Sequence, residues 1–250
     1  MILIRSLLYF ALMASSAFLF GLGIMLLGWL LPTAYSDTIA TAWGRLNIWM
    51  QRWICGLEIH IEGIEHLPPH SAIVLSKHQS TWETISLRGL LAPHQSWVLK
   101  KELLGIPVFG WALRFSKAIP IDRSAGRKAV IKVIEDGTAR LQEGRLVIIF
   151  PEGTRTAPGQ RKKYGIGGAL LAEHSGFPVI PIAHNAGVFW RRRGVKKYPG
   201  TIQVRVGEPI PTEGRKAADI MNEVQDWIET QMEQLPSSNG IEDSDHSLSK

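Results

Sequence analysis

A histidine and a carboxylate stand close together in the stretch "SKHQSTWETISL", where His78 precedes Glu83 by five positions. Near neutral pH an imidazole can accept a proton, and a nearby carboxylate can orient the ring and stabilise the imidazolium. The stretch follows the apolar run "AIVL", which is typical of a buried strand. A histidine at the carboxyl end of such a strand lies where α/β folds bind ligands. His78 is therefore a candidate general base, and Glu83 is its candidate partner.

A structural interpretation of the same stretch stays open. Ser80 and Glu83 fit the capping-box pattern S-x-x-E, in which the serine caps a helix and the glutamate accepts from its amide. Five positions is not a same-face spacing on a straight helix. Contact between His78 and Glu83 therefore requires the histidine to lie in the loop and turn back over the first helical turn.

A second candidate site is "FPEGTR", which closes the apolar run "RLVII". Pro151 cannot donate to a strand ladder, so the strand ends there. Gly153 permits a tight turn, and Arg155 offers a planar fork suited to phosphate. The alternative is a simple turn in which Glu152 pairs with Arg155.

Basic side chains also follow other expected strands and could converge on one phosphate, although each alone is typical of a solvated surface. They are Lys100, Lys101, Arg123 and the run from Arg161 to Lys163. The pattern G-x-x-x-x-G-K-[ST] does not occur, which disfavours a nucleoside triphosphate. The stretch "FWRRRGVKKYPG" indicates either a contact with anionic headgroups or an acidic carrier protein, or a basic surface loop.

Composition limits the partners. The 250 residues carry a net charge of +6, which favours anionic partners such as phosphate, acidic lipid or acidic protein. Nucleic acid is disfavoured because the chain has no zinc-finger spacing, no RNP-like motif and no long basic helix. The single cysteine, Cys55, excludes an internal disulfide and has apolar neighbours typical of burial. His66 and His70 are separated by two prolines, so we expect no metal site there.

The amino-terminal part of the chain predicts a membrane segment. No charged side chain occurs from Ser6 to Pro32, and about 20 apolar residues suffice to cross a bilayer. A second helix is predicted over Thr38 to Cys55, at the membrane interface or packed in the core. Its apolar face would hold Trp43, Leu46, Met50 and Trp53, with Trp49 and Ile54 flanking it.

From Leu57 onwards, strand and helix patterns alternate. The predicted class is α/β, with a mixed, largely parallel sheet flanked by helices, preceded by a hydrophobic membrane helix and an amphipathic interfacial helix. The predicted divisions are a membrane-anchoring segment over 1–33, the amphipathic helix over 34–56, the catalytic domain over 57–235 and a disordered polar tail over 236–250.

Taken together, these stretches resemble the 1-acyl-glycerol-3-phosphate acyltransferases, the lysophosphatidate acyltransferase branch of the glycerolipid acyltransferase family. Its four sequence blocks are similar, in order, to "HQSTWE", "KKELLGIPVFGW…IDR", "FPEGTR" and "PVIPI". The resemblance runs from about Leu57 to Pro211. The chain has Glu83 where the family usually has aspartate, and Lys77 where it often has asparagine.

The resemblance implies a mechanism. His78 would remove the proton from the free hydroxyl of a lysophospholipid, with Glu83 orienting the ring, and the alkoxide would attack the thioester of an acyl donor directly. The acceptor's phosphate would be bound by Arg123, Glu152, Gly153, Thr154 and Arg155, with Lys100 or Lys101 as helpers. No cofactor is implied; acyl-CoA or acyl carrier protein would be the co-substrate.

We therefore expect an enzyme that acylates the sn-2 hydroxyl of lysophosphatidate to give phosphatidate in phospholipid biosynthesis. Because the acyl donor is acidic and cytosolic, the catalytic domain would face the cytoplasm from a bacterial inner membrane. Two alternatives stay open: a sister acyltransferase acting on another lysolipid, such as a lyso-ornithine lipid, or a membrane phospholipid-binding protein without turnover.

Overall fold

Seven strands form one sheet at the centre of the protein. They are β1 (Leu57–Glu62), β2 (Ala72–Ser76), β3 (Gln95–Lys100), β4 (Ile119–Ile121), β5 (Leu146–Ile149), β6 (Val179–His184) and β7 (Gly200–Val206). The order across the sheet is β1-β7-β6-β2-β5-β3-β4. Neighbouring strands are parallel except for β6 and β7, which are antiparallel. The mixed, largely parallel sheet predicted from the alternating pattern is confirmed.

This computed structural model describes residues 1–68 and 70–237. Most of the polar tail predicted over 236–250 lies outside the described residues. Within them the α-helices are α1 (Ile2–Leu27), α2 (Thr33–Met50), α3 (Trp82–Leu90), α4 (Phe109–Leu113), α5 (Arg127–Gln142), α6 (Gly167–Ser175), α7 (Ala186–Phe189) and α8 (Ala217–Gln234).

Helices cover both faces of the sheet, and each face has its own apolar core. One core includes side chains of α1, α3 and α7, and the other includes side chains of α5, α6 and α8. All residues of β2, β5 and β6 are buried, because these strands lie inside the sheet and are covered on both faces. Continuous apolar runs in the sequence are the local cause of this placement.

The most buried positions of the second helix are mainly small and polar. Buried positions of α2 include Asp37, Thr41, Gly44 and Asn47. Trp43 and Leu46 pack partly against the core, whereas Trp49 and Trp53 are exposed. One turn of π-helix, Gln51–Cys55, follows α2. Because this turn holds more residues than an α-helical turn, it moves Trp53 off the apolar face predicted for it.

A buried ion pair between Asp37 of α2 and Arg145 links α2 to the sheet. The Arg145 guanidinium, just before β5, donates to both oxygens of Asp37 at 2.7 and 2.8 Å. Both side chains are nearly excluded from solvent. Neither residue is singled out by the sequence patterns, because 108 positions separate them.

The first helix has the length and composition of a membrane span, with a mean hydropathy of 2.1 and 17% of its most apolar window buried. An amino-terminal helix of this kind is consistent with membrane association. Its contacts are extensive, since α1 packs against both α2 and α4. The helix is therefore also a structural wall of the folded protein.

Candidate active site

The candidate site lies at the carboxyl ends of three adjacent parallel strands. His78 follows β2, the "FPEGTR" turn follows β5, and Lys100 ends β3. Because parallel strands end at the same edge of a sheet, residues far apart in the chain meet there. Five residues of the predicted site line one cavity at this edge. They are His78, Lys100, Arg123, Thr154 and Arg155.

His78 and Glu83 are in direct contact. His78 Nδ1 lies 2.7 Å from Glu83 Oε1, and the histidine turns back over the start of α3 as the contact requires. A carboxylate accepts hydrogen bonds, so this contact places the imidazole proton on Nδ1 and leaves the lone pair on Nε2. Phe150 stacks on the ring, with centroids 4.1 Å apart. The tautomer and the ring plane of His78 are thus fixed by Glu83 and Phe150.

Glu83 also accepts backbone hydrogen bonds at the start of α3. Its Oε1 accepts from the backbone N–H groups of Gln79 at 2.8 Å and Ser80 at 2.7 Å, and the Ser80 hydroxyl accepts from Trp82 N–H at 3.1 Å. The glutamate half of the predicted capping box is therefore present together with the His78 contact, whereas the residue that caps α3 is Thr81 and not Ser80. Burial raises the pKa of the Glu83 carboxyl, but the hydrogen bonds from His78 and from the Ser80 N–H lower it by more, so the net pKa is below its usual value.

A second histidine supports the loop from below. His184, at the end of β6, is fully buried, with its Nε2 2.8 Å from the carbonyl oxygen of Lys77. The N–H of Ala186 donates to His184 Nδ1 at 3.3 Å, so Nε2 carries the proton and donates to Lys77. Burial lowers the pKa of His184, which favours this neutral form. The sequence analysis did not single out His184, although "PVIPIAH" places it at a strand end.

The cavity has a volume of about 620 Å³ and a mostly apolar wall. Side chains of α1, α2, α3, β3 and α4 form this wall. They include Met13, Ala17, Phe20, Trp43, Ile85, Leu99, Phe109 and Leu113. Trp43 of α2 lines the cavity, whereas Trp49 and Trp53 are not among the described lining residues. Such a wall suits an acyl chain.

Cationic side chains surround the part of the cavity nearest the sheet edge. Lys100 and Arg123 are exposed and Arg155 is half-buried, all three lining the cavity. Arg123 donates to the carbonyl oxygen of Gly153, and partial burial lowers its pKa. Gly153 itself has a φ of 66°, in the left-handed region that favours glycine. Its backbone thus orders Arg123 beside the cavity.

The other four predicted residues, Glu83, Lys101, Glu152 and Gly153, are not among the described residues that line the cavity. Lys101 forms an ion pair with Asp122 at 2.5 Å. Its hydrogen bond, with those from Ser124, lowers the pKa of Asp122 to about 2. Glu152 is buried, and its carboxylate lies 2.7 Å from the ammonium of Lys77. The sequence alternative of a Glu152–Arg155 pair is therefore replaced by a Glu152–Lys77 pair.

Three further arginines that the sequence patterns indicated lie in two different places. Arg192 and Arg193, in the loop after α7, are exposed and line the cavity. Arg161 instead forms an ion pair with Glu233 of α8. Arg88 of α3 is a cavity residue that sequence patterns missed; it is 7% exposed and its guanidinium lies 5.2 Å from the Trp97 ring. Burial lowers the pKa of Arg88 to about 10, which still leaves it charged at neutral pH.

Residues 1–68 and 70–237 contain no group of three or more His, Cys, Asp or Glu side chains placed to hold a metal ion. Cys55 is buried and reduced. The reactive groups of the site are therefore the imidazole, its carboxylate partner and the surrounding cations.

A histidine paired with a carboxylate, beside an apolar cavity with cations at one end, is an arrangement suited to proton transfer on an anionic amphiphile. Comparison with known proteins agrees: the family model for acyltransferases matches residues 58–185, just over half of the chain. The protein belongs to the acyltransferase family. The family resemblance drawn from the sequence blocks, and the prediction that the chain is an enzyme, are confirmed.

Two curated relatives refine the comparison. The chain is 42% identical over 236 residues to the 1-acyl-sn-glycerol-3-phosphate acyltransferase of Pseudomonas aeruginosa, covering 93% of this chain and 91% of that protein. It is 30% identical over 178 residues to the 1-acyl-sn-glycerol-3-phosphate acyltransferase alpha of Ovis aries, covering 70% of this chain and 62% of that protein.

A solved structure has the same fold. The crystal structure of the 1-acyl-sn-glycerophosphate (LPA) acyltransferase PlsC from Thermotoga maritima matches with a TM-score of 0.78 and 22% identity. The match covers 93% of this chain and 95% of that chain. The likeness extends through most of the chain and so is not confined to the residues of the family model.

Proposed function

We propose that the protein transfers an acyl chain from a thioester to the sn-2 hydroxyl of lysophosphatidate, giving phosphatidate. The observation that carries this proposal is the 2.7 Å contact between His78 Nδ1 and Glu83 in a cavity with an apolar wall and cationic rim. The relatives named for the same acceptor, including one 42% identical, support the choice of lysophosphatidate.

The proposed reaction needs no covalent acyl-enzyme. His78 Nε2 accepts the hydroxyl proton of the acceptor, and Glu83 stabilises the imidazolium that forms. The alkoxide oxygen attacks the thioester carbonyl, the C–S bond breaks, and the leaving thiolate takes the proton from His78. Lys100, Arg123 and Arg155, with the Thr154 hydroxyl, are proposed to bind the acceptor's phosphate, because they line the cavity and carry suitable donors.

The donor is proposed to be an acyl thioester of coenzyme A or of acyl carrier protein. Both donors are anionic, and Arg192 and Arg193 add positive charge to the cavity lining.

We further propose that the catalytic domain faces the cytoplasm from a bacterial inner membrane, where such donors occur. Protease digestion of right-side-out and inverted vesicles tests this orientation, since only the inverted vesicles should lose the domain.

The direct test is acyl transfer by purified protein in detergent, with lysophosphatidate as acceptor and acyl-CoA and acyl carrier protein as parallel donors. We expect phosphatidate from the wild type, and a loss of about 10²–10⁴-fold in kcat for His78→Ala, the range typical of a general base. His174→Ala is the matched control, because His174 is exposed on α6 and should be silent.

Other results would redirect the assignment. Turnover with lyso-ornithine lipid or a lysophospholipid of larger headgroup, but none with lysophosphatidate, would identify a sister acyltransferase. Tight lipid binding without turnover in any arm would indicate a binding protein. Full activity in His78→Ala would place the base elsewhere.

A further inference from the structure

A buried cluster of charges lies directly behind the catalytic loop. Lys77 Nζ lies 2.7 Å from Glu152 Oε1 and 2.7 Å from Glu229 Oε1. The exposed fractions of these three side chains are 1%, 0% and 8%. The Tyr164 hydroxyl donates to Glu229 at 2.8 Å. Charges so deeply buried are stable only when paired, so the cluster acts as a unit.

The cluster holds the backbone of the catalytic histidine. Glu152 Oε2 accepts from the backbone N–H of His78 at 2.7 Å. The N–H of Thr156, four residues after Glu152, donates to the His78 carbonyl oxygen at 2.8 Å. Both polar groups of the His78 peptide unit are therefore fixed by the segment that follows β5. The contact with Glu83 then fixes the side chain.

The ammonium of Lys77, 2.7 Å from Glu152 Oε1, favours the ionised form of this carboxyl, although the net pKa stays above its ordinary value. Burial raises the pKa of Glu152, and the charge of Lys77 and its hydrogen bond oppose that rise. Without the lysine, the buried carboxyl would gain a proton or lose its partner geometry. Glu152 is also absent from the described residues that line the cavity, and an anion has no favourable direct contact with a phosphate.

We propose that Glu152 is a positioning residue, which with Lys77 and Glu229 holds the His78 backbone in place, and that it does not contact the acceptor's phosphate. The inference rests on the proposed function, because it takes His78 as the base. Through Glu229, helix α8 would then help to position the catalytic loop, although α8 lies outside residues 58–185 of the family match.

Steady-state kinetics with varied lysophosphatidate separate the two roles of Glu152. For Glu152→Ala we expect kcat to fall by about 100-fold with an unchanged KM, the scale of a small misplacement of a reacting group. Glu152→Gln should be intermediate, because its amide oxygen can still accept from His78 N–H. Arg155→Ala is the contrasting variant: as a proposed phosphate ligand, it should raise KM.

Charge rescue provides a second readout. Lys77→Met leaves Glu152 without its cation, and should lower kcat. The double variant Lys77→Met with Glu152→Gln removes that imbalance while keeping an acceptor for the His78 amide, so its kcat should exceed that of Lys77→Met. If Lys77 and Glu152 only stabilised the fold, these variants would differ in Tm, but the kcat of the double variant would not exceed that of Lys77→Met.

The role of α8 is tested by Glu229→Gln, with Glu233→Gln as matched control one turn later on the same helix, where Glu233 is exposed and pairs with Arg161. We expect a lower kcat with an unchanged KM for Glu229→Gln and wild-type kinetics for the control. Hydrogen–deuterium exchange of the peptide containing His78 should become faster in Glu152→Ala and Glu229→Gln, whichever acceptor the enzyme uses.

Three results would overturn the inference. A raised KM at wild-type kcat in Glu152→Ala would place the carboxylate at the acceptor. Wild-type kcat with only a lowered Tm would make the cluster structural. Unchanged exchange at the His78 peptide would show that the cluster does not hold the loop, whereas a wild type without turnover would contradict the proposed function instead.

Discussion

Glu83 Oε1 accepts hydrogen bonds from His78 Nδ1, from Gln79 N–H and from Ser80 N–H. The same oxygen therefore orients the base and closes the amino-terminal end of α3. The sequence predicted both roles as alternatives, because each depends on a spacing of a few residues. It could not show that they coexist, since the path of the loop is set by Glu152 and Thr156, more than 70 residues further along the chain.

Glu83→Gln should separate these contributions through pH. The folded-state pKa of Glu83 is below its ordinary value of 4.5, so ionised Glu83 stabilises the fold above that pH and the contribution is lost as pH falls through the lowered pKa. The difference in free energy of unfolding between wild type and Glu83→Gln should therefore be largest above pH 4.5 and shrink below it. Urea denaturation across pH measures this difference.

The same variant should lose at least about 100-fold in kcat, because a neutral amide cannot stabilise the imidazolium as a carboxylate does. A pH-independent stability difference would show that the ionised form of Glu83 gives no net stabilisation. Wild-type kcat would show that the helix cap is its main role.

At the scale of secondary structure, α2 and α3 touch through their backbones. A β-carbon placed on Gly44 would lie 2.5 Å from Gly89 N and 2.8 Å from Gly89 Cα. Neither backbone can yield as a flexible side chain would, so any larger residue must move the helices apart. Because α3 carries Glu83, this close approach also places the carboxylate next to His78.

Gly44→Ala should therefore destabilise the protein by about 1–3 kcal/mol, as overpacking does, and should lower kcat. Gly23→Ala in α1 is the control: its β-carbon would meet nothing within 4 Å, and alanine favours a helix over glycine by about 1 kcal/mol. In thermal melting in detergent, Gly44→Ala should therefore lower Tm, whereas Gly23→Ala should raise Tm or leave it less changed. Equal shifts for both variants would contradict the close approach.

The sequence predicted most elements because their signals are local. The apolar runs "AIVL" and "RLVII" identified β2 and β5, and the alternation of strand and helix patterns from Leu57 onwards identified the class. It could not predict which side of α2 faces the protein. That side is decided by the Asp37–Arg145 pair and by the Gly44–Gly89 contact, and the π-helical turn then moves Trp53 away.

At the scale of the whole molecule, the cavity joins elements from distant parts of the chain. Its wall uses side chains from α1 to α4, while its cations come from α3, from the ends of β3, β4 and β5, and from the loop after α7. Strand-end motifs predicted the cationic part. The contribution of α1 to the apolar part could not be predicted, since the composition of α1 indicates an anchor and its place in the wall depends on tertiary packing.

Ala17→Phe tests whether this wall accommodates the acyl chain. Ala17 lines the cavity, so a larger side chain should shorten the available space and reduce kcat/KM most for the longest donors. Selectivity against them should change by about 10-fold or more, since each buried methylene contributes about 0.8 kcal/mol. Leu19→Phe, at a residue 64% exposed, is the matched control for a series of saturated donors. A uniform loss across all chain lengths would contradict the assignment.

The contribution of α1 to the cavity has a consequence for modularity. Met13, Ala17 and Phe20 belong to the apolar first helix and also form part of the cavity wall that is proposed to hold substrate. The first helix therefore cannot be exchanged as if membrane attachment were its only role. Replacing it with an unrelated apolar helix would keep the hydropathy but not the shape of the wall, so a chimera could reach the bilayer and still lack a working substrate cavity. Attachment and specificity would therefore have to change together when proteins of this kind diverge.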